Sequence, residues 1–245
     1  MSKRYTSGKP VKVLYEDEQF MAFYKPAGLL SVASGARPGG ARTGQDACLE
    51  DMVNEFYREG AGAPDGAPAV MGAKLHPCHR LDRETSGVIF FAKRKMNQQM
   101  LMDLFHKRLV HKRYIAFVHG RVTRPAGTIR IPVKDAFADK FSPDSDAKDA
   151  TTKYKVLEVR RHFTIVEAEP VTGRTNQLRL HFKAIGHPIV GENKYIFRRD
   201  YDLRFKRTAL HAAEIAFKHP VTGKDVKVEA KLSADMMNFL ERNRR

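Results

Sequence analysis

The 245-residue sequence predicts an α+β fold, and three observations carry that expectation. Short strand-like runs dominate. Short amphipathic helices interrupt them without a regular β-α-β-α alternation, and no internal repeat occurs. At 42% hydrophobic and 29% charged residues the chain has the balance of an ordinary soluble globular protein. At this length it buries roughly 70–75% of its unfolded surface and needs neither a disulfide nor a structural metal to fold.

The elements follow in order. Val11 to Tyr15 and Phe20 to Tyr24 read as a hairpin across the polar Glu16-Asp-Glu-Gln19 turn, closed by Pro26-Ala-Gly28. Ser34 to Gly44 is a Gly/Arg/Pro loop. Leu49, Met52, Val53 and Phe56 then recur at i, i+3, i+4 and i+7 and predict a helix ending by Gly60. Gly60 to Gly72 reads as a surface loop. Val88 to Ala92 is a continuous apolar run, hence a buried strand, and Met96, Met100, Leu101, Leu104 and Phe105 mark the apolar face of the next helix. Tyr114 to Val118 and Gly127 to Val133 are strands, and Asp135 to Asp149, with Pro143, is a loop. Thr151 to Val159 and Phe163 to Ala168 pair across Arg160-Arg-His162. Leu178, Phe182 and Ile185 mark a short helix stopped by Gly186. Leu210 to Phe217 and Asp225 to Ala230 flank a hairpin turn at His219-Pro-Val-Thr-Gly223, and Ser233 is placed to cap a last helix bearing Met236, Met237 and Leu240.

Charge narrows the function. Lys and Arg total 44 against 28 acids, a formal +16. The basic residues lie in short clusters along the whole chain, among them Lys93-Arg-Lys95, Lys107-Arg108, Lys112-Arg113, Arg160-Arg161 and Lys206-Arg207. A detachable tail would concentrate them in one block, so the pattern predicts a basic surface assembled by the fold and a polyanionic partner, nucleic acid ahead of an anionic membrane. Cys48 and Cys78 are too few for a disulfide scaffold, which fits a reducing compartment. Residues 1–10 lack the apolar stretch of a secretory signal, and no run approaches 18 apolar residues. The expectation is a soluble, cytoplasmic protein without a membrane partner.

The densest chemistry lies in Lys74 to Gly87. Asp82 falls between Arg80 and Arg83 just before the buried strand, where positive charge favours an ionised carboxylate able to serve as nucleophile or base. A loop carboxylate pairing with local arginines is the other reading of such a stretch. His76, Cys78 and His79 do not match the ligand spacings of zinc sites, and no second cluster supplies further ligands, so no metal is expected. Neither a phosphate-binding loop nor a dinucleotide fingerprint is present. Glu167 and Glu169 alternate with apolar residues on a strand. They read as solvent-facing acids rather than as a glycosidase pair.

His79-Arg-Leu-Asp-Arg-Glu-Thr-Ser-Gly87 resembles the signature of the ribosomal large-subunit type A (RluA) class of pseudouridine synthases, which modify uridines in ribosomal and transfer RNA. Tyr24-Lys-Pro-Ala-Gly28, Lys112-Arg-Tyr-Ile-Ala116, Thr172-Gly-Arg-Thr-Asn-Gln-Leu-Arg-Leu-His181, Gly186-His-Pro-Ile-Val-Gly191, Ala209-Leu-His-Ala212 and Phe217-Lys-His-Pro220 are similar to further blocks of the same family, in the family's order, over residues 11 to 230.

The resemblance implies the pseudouridine synthase fold, a single catalytic domain over 11–232 with a mixed, largely antiparallel central sheet flanked by helices and loops. A 1–10 extension would precede it and a C-terminal helix and basic tail over 233–245 would follow. The isomerisation breaks the bond from C1′ to N1 and joins C1′ to C5. It exchanges no electrons and no external group, so no cofactor is expected. Asp82 would be the essential carboxylate, by covalent addition or by removal of a sugar proton. Arg179 would pair with it and hold it ionised, and Tyr114 would stack on the uracil and assist proton removal from C5. Arg80 would occupy the space left by an extruded base. Arg83, Thr85, Arg174, Asn176 and Gln177 would bind substrate, and the loops 33–44 and 60–73 would shape the RNA entrance. The expected partner is structured rRNA or tRNA, with no obligate protein partner and a monomeric chain. Many relatives carry a small N-terminal RNA-binding module, and with only about ten residues before the first predicted strand none is expected here, so affinity would rest on the basic surface and depend strongly on salt. The family usually has His where Asn176 sits, Asp where Glu192 sits and Gly where Ile196 sits. The competing readings are a non-catalytic RNA-binding or chaperone protein with the same fold and a metal-dependent RNA hydrolase.

Overall fold

The computed structural model describes residues 11–33, 48–58, 74–134, 147–196, 201 and 203–244. The expected extension at 1–10, the loops at 34–44 and 60–72, and most of the loop at 135–149 lie outside these residues. The architecture is α+β, as the sequence predicts. The chain divides into two compact units. The described residues up to Val110 form one with Glu214–Lys231, and His111–Ala213 form the other with the described residues from Leu232 onward.

In the first unit β1 (Lys12–Glu16) and β2 (Phe20–Lys25) form the expected antiparallel hairpin. Its turn is set by one side chain: Asp17 Oδ1 accepts the N–H groups of Gln19 and Phe20 at 2.8 and 2.6 Å, an Asx turn. Helix α1 (Leu49–Arg58) buries Leu49, Met52 and Val53 as its periodicity predicts. Strand β2 pairs antiparallel with β4 (Ser86–Ala92), and β4 also carries the short β3 (His76–Pro77). Every residue of β4 is buried, which is why its sequence does not alternate.

Helix α2 (Lys95–His106) turns Leu101, Leu104 and Phe105 inward as expected, but not Met96. Asn97 and Leu101 are buried, with Leu104 and Phe105 packed on the core, while Met96 is 63% exposed. At 3.6 residues per turn Met96 lies well off the stripe through Leu101, and Asn97 takes its place.

Strand β5 (His111–His119) opens the second unit, followed by β6 (Ala126–Arg130), β7 (Thr151–Val159) and β8 (Phe163–Pro170). The pairings β5–β8, β8–β7 and β7–β6 are all antiparallel. The expected strand to Val133 stops at Arg130, and Val133 makes only an isolated bridge to Lys148. Helix α3 (Gln177–Ala184) ends where Gly186 adopts φ +81, the left-handed stop expected of it.

Strand β9 (Leu210–Lys218) contributes its first four residues to the second unit and its last five to the first. There it pairs antiparallel with β10 (Asp225–Glu229) across the expected turn. His219 builds that turn by accepting the Val221 and Thr222 N–H groups on Nδ1, which places its proton on Nε2, 3.2 Å from Asp17 Oδ2.

In the last helix, α4 (Ala234–Arg242), the buried residues are Met236 and Phe239, and Met237 is exposed. Ser233 occupies the N-cap position, but its hydroxyl makes no cap bond. It accepts from Arg207 Nη2 at 2.8 Å instead, because the buried Arg207 guanidinium is spread over Ser233, Asp235 and two backbone carbonyls.

Candidate active site

The loop from Cys78 to Thr85 presents the first group of expected site residues, and its backbone is tied down on both sides of Asp82. On one side Ser31 Oγ donates to the Leu81 carbonyl at 2.7 Å and accepts the Leu81 N–H at 2.9 Å. On the other, the Arg83 carbonyl accepts the Lys25 ammonium at 3.1 Å and the Gly28 N–H at 2.8 Å, and Arg83 Nε donates to the Gly28 carbonyl at 3.1 Å. The Thr85 N–H closes a turn onto the Asp82 carbonyl at 3.0 Å.

Lys25 is the centre of this fastening. Its side chain is fully buried, and Nζ donates to the carbonyls of Pro26, Leu29 and Arg83, three acceptors for three protons. The Tyr24-Lys-Pro-Ala-Gly28 block therefore acts on the Asp82 loop through its backbone. Gly28, at φ +86, supplies the left-handed turn that brings its N–H and carbonyl to Arg83.

Asp82 itself is partly buried, Arg80 and Arg83 are exposed, and Thr85 is buried. His79 serves the packing of the loop, since Nε2 accepts the Phe90 N–H at 3.0 Å and the ring lies 4.9 Å from that of Phe105.

The second group gathers in the other unit around the turn from β8 into α3. Gln177 is tied into the turn by its own amide. Its Oε1 accepts from the Thr172 hydroxyl and the Arg174 N–H, and its Nε2 donates to the Thr151 carbonyl and Thr152 Oγ1. Both donors and both lone pairs of the amide have partners within the protein, so Gln177 is a strut of the turn. The network continues inward. Thr152 Oγ1 donates to His181 Nδ1 at 2.9 Å, and His181 Nε2 donates to the Ile131 carbonyl at 2.9 Å. Burial pushes the His181 imidazole below its usual range, against the opposing pull of the Ile131 carbonyl.

Arg179 is buried on α3 rather than lying on the helix surface. Nε and Nη2 donate to the two oxygens of Glu192 at 2.6 and 2.7 Å, Nη1 donates to Asn176 Oδ1 at 2.8 Å, and the guanidinium lies 5.0 Å from the centre of the Tyr195 ring. Asn176 takes φ +55 at the head of α3, a left-handed conformation that asparagine tolerates better than most side chains. Glu192, 1% exposed, also accepts the N–H groups of Asn193, Lys194 and Tyr195 on Oε1. Burial alone would raise its carboxyl, but the Arg179 hydrogen bonds and charge and the Lys194 and Tyr195 N–H groups outweigh it and hold the group below the ordinary carboxylate range. Asn176 and Glu192 thus meet on one guanidinium.

Tyr114 stands half-buried on β5, opposite Ala168 of β8. Two residues before it, burial lowers the Lys112 ammonium against the opposing charge of Glu169. Arg174 is exposed and donates through Nε to the Asp149 carbonyl. Glu167 and Glu169 face Arg113 and His111 at 3.7 and 3.2 Å, as strand acids do. Cys48 and Cys78 are buried and free. No group of three or more potential metal ligands occurs among the described residues, and no helix there is long and apolar enough to cross a membrane.

The sequence reading missed Ser31 and the clasp on Arg179. A serine in a loop carries no periodic signal, and the acid that meets Arg179 lies 13 residues downstream. Lys25 did leave one: a lysine closing an apolar strand run is a charge in a buried setting.

The sequence model of the family described as RNA pseudouridylate synthase matches residues 19–184. The dual-specificity RNA pseudouridine synthase RluA of Vibrio cholerae is 34% identical over 213 residues, covering 86% of this chain and 78% of that one. The tRNA pseudouridine synthase C of Vibrio vulnificus is 32% identical over 254 residues, covering 95% of each. Among solved structures, human RNA pseudouridylate synthase domain containing 4 superposes with a TM-score of 0.74 at 26% identity, over 95% of this chain and 93% of that one.

Proposed function

The chain belongs to the RNA pseudouridylate synthase family, and from that premise we propose that it isomerises particular uridines in structured ribosomal or transfer RNA, with Asp82 as the essential carboxylate. The observation that carries the assignment is the fastening of Leu81 and Arg83 on either side of Asp82 by Ser31, Lys25 and Gly28. A carboxylate that must meet one ribose carbon needs a backbone that does not drift, since small misplacements cost large factors in rate.

The chemistry asks little else. Breaking the bond from C1′ to N1, turning the base and forming the bond from C1′ to C5 leaves the atom count unchanged: the C5 proton departs and N1 gains one. An ionised carboxylate serves by adding to C1′ or by taking a sugar proton, and no cofactor enters the scheme. Arg179 is assigned to keeping that carboxylate ionised, Tyr114 to stacking on the uracil and assisting loss of the C5 proton, and Arg80 to filling the space of the extruded base. Arg83, Thr85, Arg174 and Asn176 are assigned to the RNA around the uridine. The +16 charge supplies phosphate affinity, which falls steeply with added salt.

Carbodiimide labelling and primer extension on cellular RNA, with and without the gene, test the reading. A reverse-transcription stop at a uridine that disappears without the gene, and returns with the parental chain but not with Asp82→Asn, is the expected result. Unchanged RNA after deletion, or full restoration by Asp82→Asn, overturns it.

A further inference from the structure

We propose that Glu192 is a positioning residue that fixes the orientation of the Arg179 guanidinium for its part in the reaction, an inference that rests on the assignment of Arg179 above. Glu192 takes Nε and Nη2 of Arg179 side-on, through two bonds of 2.6 and 2.7 Å. A side-on pair fixes both the plane of the guanidinium and its rotation within that plane, which a single-point contact does not. Asn176 Oδ1 adds a third bond, on Nη1 at 2.8 Å, and the Tyr195 ring lies 5.0 Å from the guanidinium carbon.

Glu192 is itself held. Its Oε1 accepts the N–H groups of Asn193, Lys194 and Tyr195 at 3.1, 2.8 and 3.3 Å, so the carboxylate is locked to the turn that follows it. A buried ion pair is poor material for stability alone, since desolvation consumes most of its attraction. Two charges buried in bidentate register, one of them anchored by three backbone donors, instead fit an arrangement kept for orientation. Glu192 is 1% exposed and bonded to the cation and to its own turn, so its removal should affect turnover and leave binding intact.

The test uses the full chain and bulk ribosomal and transfer RNA from cells lacking the gene, labelled with tritium at uridine C5, whose hydrogen is released as C1′ joins C5. Glu192→Gln is expected to lower kcat about tenfold to a hundredfold with KM and salt-dependent RNA affinity within about twofold of the parent. Glu192→Asp, which keeps the charge one methylene shorter, should fall between the two. In the double variant Arg179→Met with Glu192→Gln, which leaves no unpaired buried charge, kcat should be no lower than in Arg179→Met alone, because the acid acts only through the arginine.

Should Glu192→Gln not fold, the aspartate variant and the double variant decide. Parental kcat in whichever charge variant folds, an additive further loss in the double variant, or a loss of RNA affinity parallel to that of kcat overturns the proposal. Asp82→Asn is run beside them. Tritium release by that variant defeats the underlying assignment, whereas its silence together with parental rates in the Glu192 variants defeats this inference alone.

Discussion

The Ser31 hydroxyl holds both backbone groups of Leu81, donating to the carbonyl at 2.7 Å and accepting the N–H at 2.9 Å from 50 residues away. Removing that oxygen strips two buried polar groups at once. Each loses a partner at a cost of about 1–3 kcal/mol if nothing replaces it. Ser31→Ala is therefore expected to lower unfolding free energy by about 2–4 kcal/mol in urea titrations. It should also slow tritium release from C5-labelled RNA at a temperature where the variant remains folded, because the residue it releases precedes Asp82. Parental stability would show that the clasp is incidental.

Lys25 yields a sharper contrast. Three carbonyls converge on its buried ammonium, so Lys25→Met leaves all three without that donor, and the Arg83 carbonyl keeps only the Gly28 N–H. The expected loss is about 3–5 kcal/mol, the range for breaking a buried charged network. Lys25→Arg should be nearly as harmful although it keeps the charge, since a planar fork does not fit a site shaped for a tetrahedral ammonium. Denaturation midpoints of the two variants check this, and rescue by arginine would contradict it.

These two residues show where the sequence was readable. The β1–β2 hairpin, α1, the buried β4 and the Gly186 stop all follow from periodicity or turn chemistry within a few residues of chain, and the structure has them. Reading failed where one position of phase decided the outcome, as at Met96 and Asn97 on α2 or Met237 and Phe239 on α4. It failed again where a polar side chain's partner is distant in sequence. The two acceptors of the Gln177 amide N–H groups, Thr151 and Thr152, lie some 25 residues upstream and leave no local signal. The fastening of Leu81 and Arg83 on either side of Asp82 was not legible, because Ser31 and Lys25 lie 50 residues or more upstream.

His119 gives a pH dependence. Burial first, and the charge of Arg204 second, lower its imidazole from 6.5 to about 4. The unfolded chain therefore binds this proton at a pH where the folded chain refuses it. Stability is fully present above pH 6.5 and falls as the pH drops from 6.5 to about 4. One proton of difference corresponds to about 1.4 kcal/mol per pH unit in the middle of that window. The His119→Gln variant, followed by urea denaturation across the same window, should lose stability less steeply than the parent by up to that amount. Identical slopes would mean that the buried ring titrates as if exposed.

Gly191 and Gly186 separate two reasons for a glycine. Their φ values are +80 and +81, so the intrinsic cost of placing an L-residue there is about 1–2 kcal/mol at each. Their surroundings differ completely. A Cβ at Gly186 would meet nothing within 4 Å, whereas at Gly191 it would fall 1.9 Å from the Arg207 carbonyl oxygen and 2.8 Å from the carbon behind it. That carbonyl cannot retreat easily, because the Arg207 side chain is bound to Ser233, Asp235, Thr208 and Leu210. Gly186→Ala should lower stability by about 1–2 kcal/mol and leave turnover unchanged. Gly191→Ala should cost more than about 4 kcal/mol, and any chain that still folds should turn over more slowly, since the residue displaced next is Glu192, on which Arg179 depends. Chemical denaturation and tritium release on the pair measure both effects. Equal losses at the two positions would show that backbone conformation, and not the contact with Arg207, is what requires glycine at 191.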